Sequence, residues 1–194
     1  MIKITAIDCS LANVGLVLFD YDPQTEALTP IKIKLVQTEP MDKKLIRRNS
    51  DDMRRAGELL SAIRKFEKAS SIMIAEIPMG TQSSRGAISN GVVFGVLSSI
   101  TLPLIQVTPA EAKMVSVGRK TATKREMIEW ATALHPQLEW KRDRGKADGK
   151  FVDANEHMAD AVAIGYAGIG TNEFKVAISM MLSMKRNAEL VSSA

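Results

Sequence analysis

A chain of 194 residues, 45% apolar and 25% charged, can bury one substantial core and is not a disordered or low-complexity sequence. Its 26 Lys and Arg against 22 Asp and Glu leave a net charge of +4, which admits a polyanionic partner without requiring one. The lone Cys9 excludes an internal disulfide, and no apolar run approaches the roughly 20 residues that span a bilayer. Residues 1–9 also lack the charged, apolar and small-residue order of a signal peptide. The expectation is a cytoplasmic protein with no membrane partner.

The first 37 residues read as three strands. Ile2, Ile4 and Ala6 alternate with Lys3 and Thr5, and Ile7 then delivers Asp8 at the strand end. A turn over 9–13 leads into the apolar run 14–19. A second turn containing Pro23 precedes 28–37, where Ile31, Ile33 and Leu35 alternate with Lys32 and Lys34. Short connections make these three an antiparallel meander. From 44 to 68 the apolar period becomes helical, amid many Arg and Lys. The run 71–76 is a buried strand that ends on Glu76 and is stopped by Pro78.

A Gly/Ser/Thr-rich loop from 79 turns into a helix reaching about 99, and 102–107 is another short strand. Thr108 and Pro109 mark a helix start, as cap and first residue. Further helices are expected over 122–134, 154–168 and 173–191, with a long polar loop over 135–150. Strands alternating with helices only after an antiparallel start predict an α/β chain, a mixed sheet covered by helices. The domain division expected is 1–170 for the main unit, with 171–194 as a helical extension whose Met180, Met181 and Met184 cover the core or join two subunits.

Three acids sit where an acid is awkward for folding. Asp8 follows Ile-Thr-Ala-Ile, Glu76 follows Ile-Met-Ile-Ala, and Asp160 lies inside His-Met-Ala-Asp-Ala-Val-Ala-Ile. A carboxylate in such surroundings needs a partner, because burying it alone costs several kcal/mol or forces it to protonate. Taken singly, each acid reads as a turn or cap residue, and His157 as an ordinary helix histidine. Two strand-end acids followed by a helical pair, His157 and Asp160, three apart on one face, point instead to a shared metal. Hard oxygen donors suit Mg²⁺, with Mn²⁺ as a substitute, and two ions roughly 4 Å apart are the arrangement that cuts phosphodiesters.

Four segments resemble one family. They are Ala6-Ile-Asp8-Cys-Ser-Leu-Ala-Asn-Val-Gly15, Ile74-Ala-Glu76-Ile-Pro-Met79, and Thr108-Pro-Ala-Glu-Ala-Lys113 with its continuation Val117-Gly-Arg-Lys-Thr-Ala-Thr-Lys124; the fourth is His157-Met-Ala-Asp160-Ala-Val-Ala-Ile164. In this order they resemble the RuvC-type Holliday junction resolvases of the ribonuclease H-like superfamily, phage-type members included. The resemblance covers about residues 2–168. It implies a ribonuclease H-like five-stranded sheet, three antiparallel strands then two parallel, flanked by helices.

The resemblance implies residue roles as well. Asp8, Glu76, His157 and Asp160 would be catalytic and would hold the ions. Many relatives carry Asp where His157 stands, so this residue is either a ligand through a ring nitrogen or a general acid/base. Cys9-Ser10 replaces the Pro-Gly common after the first acid. Asp153 and Glu156 are either further ligands or helix N-terminal acids. Met79 falls where relatives place a wedge between bases; otherwise it is a loop methionine packed on the core. Lys113 and Lys124 match phosphate-contacting lysines, and Arg119, Lys120 and Arg125 would track the backbone with them.

The basic loop 141–150 either reaches DNA or is a mobile insertion. The function implied is a Mg²⁺-dependent endonuclease acting as a homodimer on four-way DNA junctions in recombination and repair, placing paired nicks that leave 5′-phosphate ends. A nuclease acting on RNA–DNA hybrids or on branched DNA generally is the first alternative. A non-catalytic junction-binding protein is the second.

Overall fold

The computed structural model describes residues 1–143 and 149–192. Half of the expected basic loop 141–150, residues 144–148, lies outside the described residues. Five strands form one sheet: β1 (Ile2–Cys9), β2 (Asn13–Tyr21), β3 (Leu28–Gln37), β4 (Ile72–Glu76) and β5 (Leu104–Val107), in the order β3-β2-β1-β4-β5. β1 pairs antiparallel with β2, and β2 with β3, whereas β4 and β5 continue parallel to β1. This is the expected mixed sheet of three antiparallel strands and two parallel ones.

Among the described residues, six α-helices cover it: α1 (Arg48–Glu67), α2 (Ser84–Ser98), α3 (Pro109–Ser116), α4 (Lys124–Leu134), α5 (Glu156–Ile169) and α6 (Asn172–Ser192). α1 and α2 close one face over Ile7, Leu16, Met73 and Ala75. α5 lies centrally on the other face, flanked by α3, α4 and the start of α6. Its composition explains that position. Met158, Ala159, Ala161, Val162, Ala163 and Ile164 are all buried, because the helix is enclosed on nearly every side. Gly165 brings it down on the sheet, since a Cβ there would meet the Phe19 ring at 2.7 Å.

Local signals set several boundaries. α3 and α4 both open with capping boxes, Thr108 with Glu111 and Thr123 with Glu126. The predicted start of α1 at 44 is too early by four residues: Asp42 accepts the amides of Leu45 and Ile46 at its carbonyl, holding 42–46 as a turn. Ile31 also departs from the expected alternation, being exposed while Ile33 is buried. The register slips between Leu18 and Phe19, which pair with Lys32 and Pro30, so Ile31 is the extra residue of a bulge. In α6, Phe174 and Ile178 join the core and Met181 packs partly against it, whereas Met180 and Met184 face solvent.

Candidate active site

The site is assembled by strand register. β1 and β4 run in parallel with Ile7 opposite Ala75, so Asp8 and Glu76 follow as the next residues of adjacent strands. On its other side Asp8 faces Gly15 of β2. Gly15 is small for a reason: a Cβ there would stand 1.9 Å from the carbonyl oxygen of His157. The first turn of α5 therefore rests directly on the β2 backbone, and this contact brings His157 and Asp160 to the ends of the two acidic strands.

His157 Nδ1–H donates to Asp8 Oδ2 at 2.6 Å. That hydrogen bond, outweighing the effect of burial, holds the imidazole above its ordinary range. Burial first, and then the charge of Asp8, push Glu76 up to about 7; the Lys113 ammonium opposes them. Asp160 is pushed up to about 8 by burial, followed by the charges of Asp8, Glu156 and Glu76. This end of the sheet thus concentrates more negative charge than its own cations neutralise.

Among the described residues, no three His, Cys, Asp or Glu side chains already surround a common point as metal ligands would. The donor set itself fits a hard divalent cation. Asp8, Glu76 and Asp160 offer carboxylate oxygens, and the raised acids show where added positive charge relieves repulsion. His157 spends Nδ1 on Asp8, which leaves Nε2 as its remaining ring nitrogen for a ligand or a proton.

A cleft of about 410 Å³ opens beside the acids, and Glu76, Asp160, Glu156, Lys113 and Lys124 are among its lining residues. Lys124 Nζ bonds Glu156 Oε2 at 2.7 Å. Of the six residues predicted to touch DNA, Lys113 and Lys124 share this cleft with the carboxylates. Arg119 pairs with Glu126 and Arg125 with Glu129, both on the solvent side of α4, and Lys120 is exposed on the turn before it. Met79 is 69% exposed and does not pack on the core; its carbonyl is held by Asn90 Nδ2 at 2.8 Å. Asp153 is exposed, while Glu156 is engaged by Lys124.

A supporting network behind the site escaped the sequence reading. Arg55, 7% exposed, donates from Nη2 to the carbonyl of Leu11 at 3.2 Å and from Nε to Thr38 Oγ1 at 3.0 Å, fixing the turn that follows Asp8. Asp52, 2% exposed, receives both terminal nitrogens of Arg85 at the start of α2, the helix that follows the Glu76 loop. The available signal was helical spacing. Asp52, Arg55, Leu59 and Ile63 share the buried face of α1, so two charges occupy core-facing positions.

No family model matches this sequence, and no curated protein matches it. Its fold is similar to that of solved RuvC and viral resolvase structures. Thermus thermophilus RuvC superposes with a TM-score of 0.55 at 17% identity, over 85% of this chain and 92% of that one. The T. thermophilus RuvC complex with Holliday junction substrate gives 0.55 at 15% identity, covering 85% and 91%. A complex of Fowlpox virus resolvase with Holliday junction DNA gives 0.51 at 14% identity, covering 85% and 95%.

Proposed function

We propose that this protein is a divalent-metal-dependent endonuclease that resolves four-way DNA junctions. The observation that carries this reading is the convergence of Asp8, Glu76, His157 and Asp160 at one end of a RuvC-like sheet, beside a cleft containing Lys113 and Lys124. The three carboxylates would hold Mg²⁺ or Mn²⁺, most simply two ions, and a bound ion supplies charge neutralisation at the scissile phosphate and an acidified water. Lys113 and Lys124 hold the flanking phosphate oxygens in the cleft. His157 orients Asp8 through Nδ1 and keeps Nε2 for carrying a proton to or from the reacting phosphate.

A junction with two-fold symmetry calls for two such sites, hence a homodimer that makes paired nicks with 5′-phosphate ends. The test compares a synthetic four-way junction, a flap, a linear duplex and an RNA–DNA hybrid, each with Mg²⁺. Paired symmetric nicks in the junction, lost in Asp8→Asn and Asp160→Asn, are expected. Cleavage of the hybrid alone sinks the junction assignment, and junction binding without cleavage in either ion sinks the nuclease.

A further inference from the structure

One charged surface takes no part in the site. The segment 43–48, joining β3 to α1, reads Lys-Lys-Leu-Ile-Arg-Arg, and Lys43, Lys44, Arg47 and Arg48 are all exposed. Among the described residues none of the four forms an ion pair. The carboxylates nearest in the fold are already committed: Asp51 to Arg54, and Asp52 to Arg85 with Arg55 at 3.9 Å, while Arg48 adds only a longer-range charge effect on Asp52. Glu39 and Asp42 remain beside the segment, leaving it a net cationic surface.

Placement gives this charge a direction. β3 runs parallel to β1, and Asn13 pairs with Gln37, so β3 ends at the same edge of the sheet as Asp8. Two strand spacings, about 10 Å, separate those ends, and the segment begins just beyond. It is also held in place. Met41 donates its amide to Asp51 Oδ2 at 3.2 Å, Lys44 donates its amide to Asp42 Oδ1 at 2.9 Å, and Arg54 reaches the Glu39 carbonyl at 2.8 Å. Arg55 ties the same end of α1 to Leu11, three residues after Asp8. Four exposed cations on a braced segment beyond the β3 end of the sheet offer a surface for the phosphates of a duplex arm adjoining the strand at the carboxylates.

We propose that segment 43–48 is a second phosphate-binding surface, which grips the backbone of a duplex arm adjoining the strand held in the catalytic cleft. This rests on the nuclease reading above. The binding is to sugar-phosphate and carries no base preference, so it contributes affinity and arm orientation and leaves the chemical step alone.

The test uses the full chain in the Asp160→Asn background, with Mg²⁺ and a fluorescent four-way junction, titrated from 50 to 300 mM salt. The variant combines Lys43→Ala, Lys44→Ala, Arg47→Ala and Arg48→Ala. Thermal melting is expected to change by no more than about a degree, because the four side chains are exposed and none forms an ion pair. Affinity is expected to fall at least about tenfold, and the salt slope to flatten by about 0.9 for each phosphate contact removed, up to about 3–4 in all. The charge-retaining set Lys43→Arg, Lys44→Arg, Arg47→Lys and Arg48→Lys is expected to bind like the parent.

Equal affinity and equal slope in the alanine variant overturn the second surface while leaving the nuclease reading intact. A parent that binds no DNA overturns both. If the alanine variant shows the loss but the wild-type chain cuts nothing in Mg²⁺ or Mn²⁺, the surface stands and the nuclease falls.

Discussion

Two groups of half-buried or buried acids lie within the same molecule and have opposite electrostatics. Asp52 and Glu67 on α1 are held below the ordinary carboxylate range. For Asp52 the Arg85 hydrogen bonds dominate; for Glu67 burial is outweighed by the amide and hydroxyl of Thr101 and by Arg64. Glu76 and Asp160 are held above that range, because burial and neighbouring acids act without an arginine to oppose them. The first group is complete as folded. In the second, burial and neighbouring acids leave negative charge that the fold does not balance.

Substitution separates the groups most sharply. Asp160→Asn should lower junction cleavage on the order of 10³-fold while leaving the metal-free melting temperature equal or higher, since it replaces an acid that burial and its neighbours disfavour in the charged form. Asp52→Ala should do the reverse: it leaves Arg55 and Arg85 without their acid and costs about 3 kcal/mol of stability, read by denaturant unfolding. Equal destabilisation by both variants would erase the distinction. Gly15→Ala tests the contact that joins strand to helix. Its methyl would collide with the His157 carbonyl, so a loss of about 3 kcal/mol and of activity together is expected, whereas an unchanged melting curve would deny the contact.

The pH dependence follows from the same contrast. Groups whose folded values lie above their ordinary ones contribute stability at acid pH and lose it as pH rises through the folded values. With Glu76 at about 7 and Asp160 at about 8, the metal-free protein should melt several degrees lower at pH 9 than at pH 5. Saturating Mg²⁺ should flatten that slope. Asp52 and Glu67 have the opposite sign, and their contribution disappears only as pH falls below the ordinary carboxylate range. The smallest effect belongs to Met79→Ala. The side chain is exposed, so stability should change by less than about 0.5 kcal/mol, while junction cleavage falls less than about tenfold. No change in cleavage would remove Met79 from the DNA surface.

Much of this organisation was legible because the relevant signals are local. Alternation ending on an acid located Asp8, the apolar run stopped by Pro78 located Glu76, and Thr108-Pro109 marked a helix start. The bulge at Ile31 was not legible, because it depends on which residue of β2 lies opposite Pro30. Nor was the bond between His157 and Asp8, whose partners are 149 residues apart. Nothing in their residue types marks Asp52 and Arg55 as buried, and nothing about Gly15 shows that a helix carbonyl fills the space a side chain would need.

The seat of α5 on Gly15 has a consequence for biosynthesis. A chain emerging from the ribosome presents β1 and β4 early, but His157 and Asp160 arrive only with α5. Until that helix is made and docked, the two strand acids have no third carboxylate and no helix turn to set their spacing. Under the nuclease proposal, a fragment that stops before α5 lacks His157 and Asp160 and so holds no complete cutting centre.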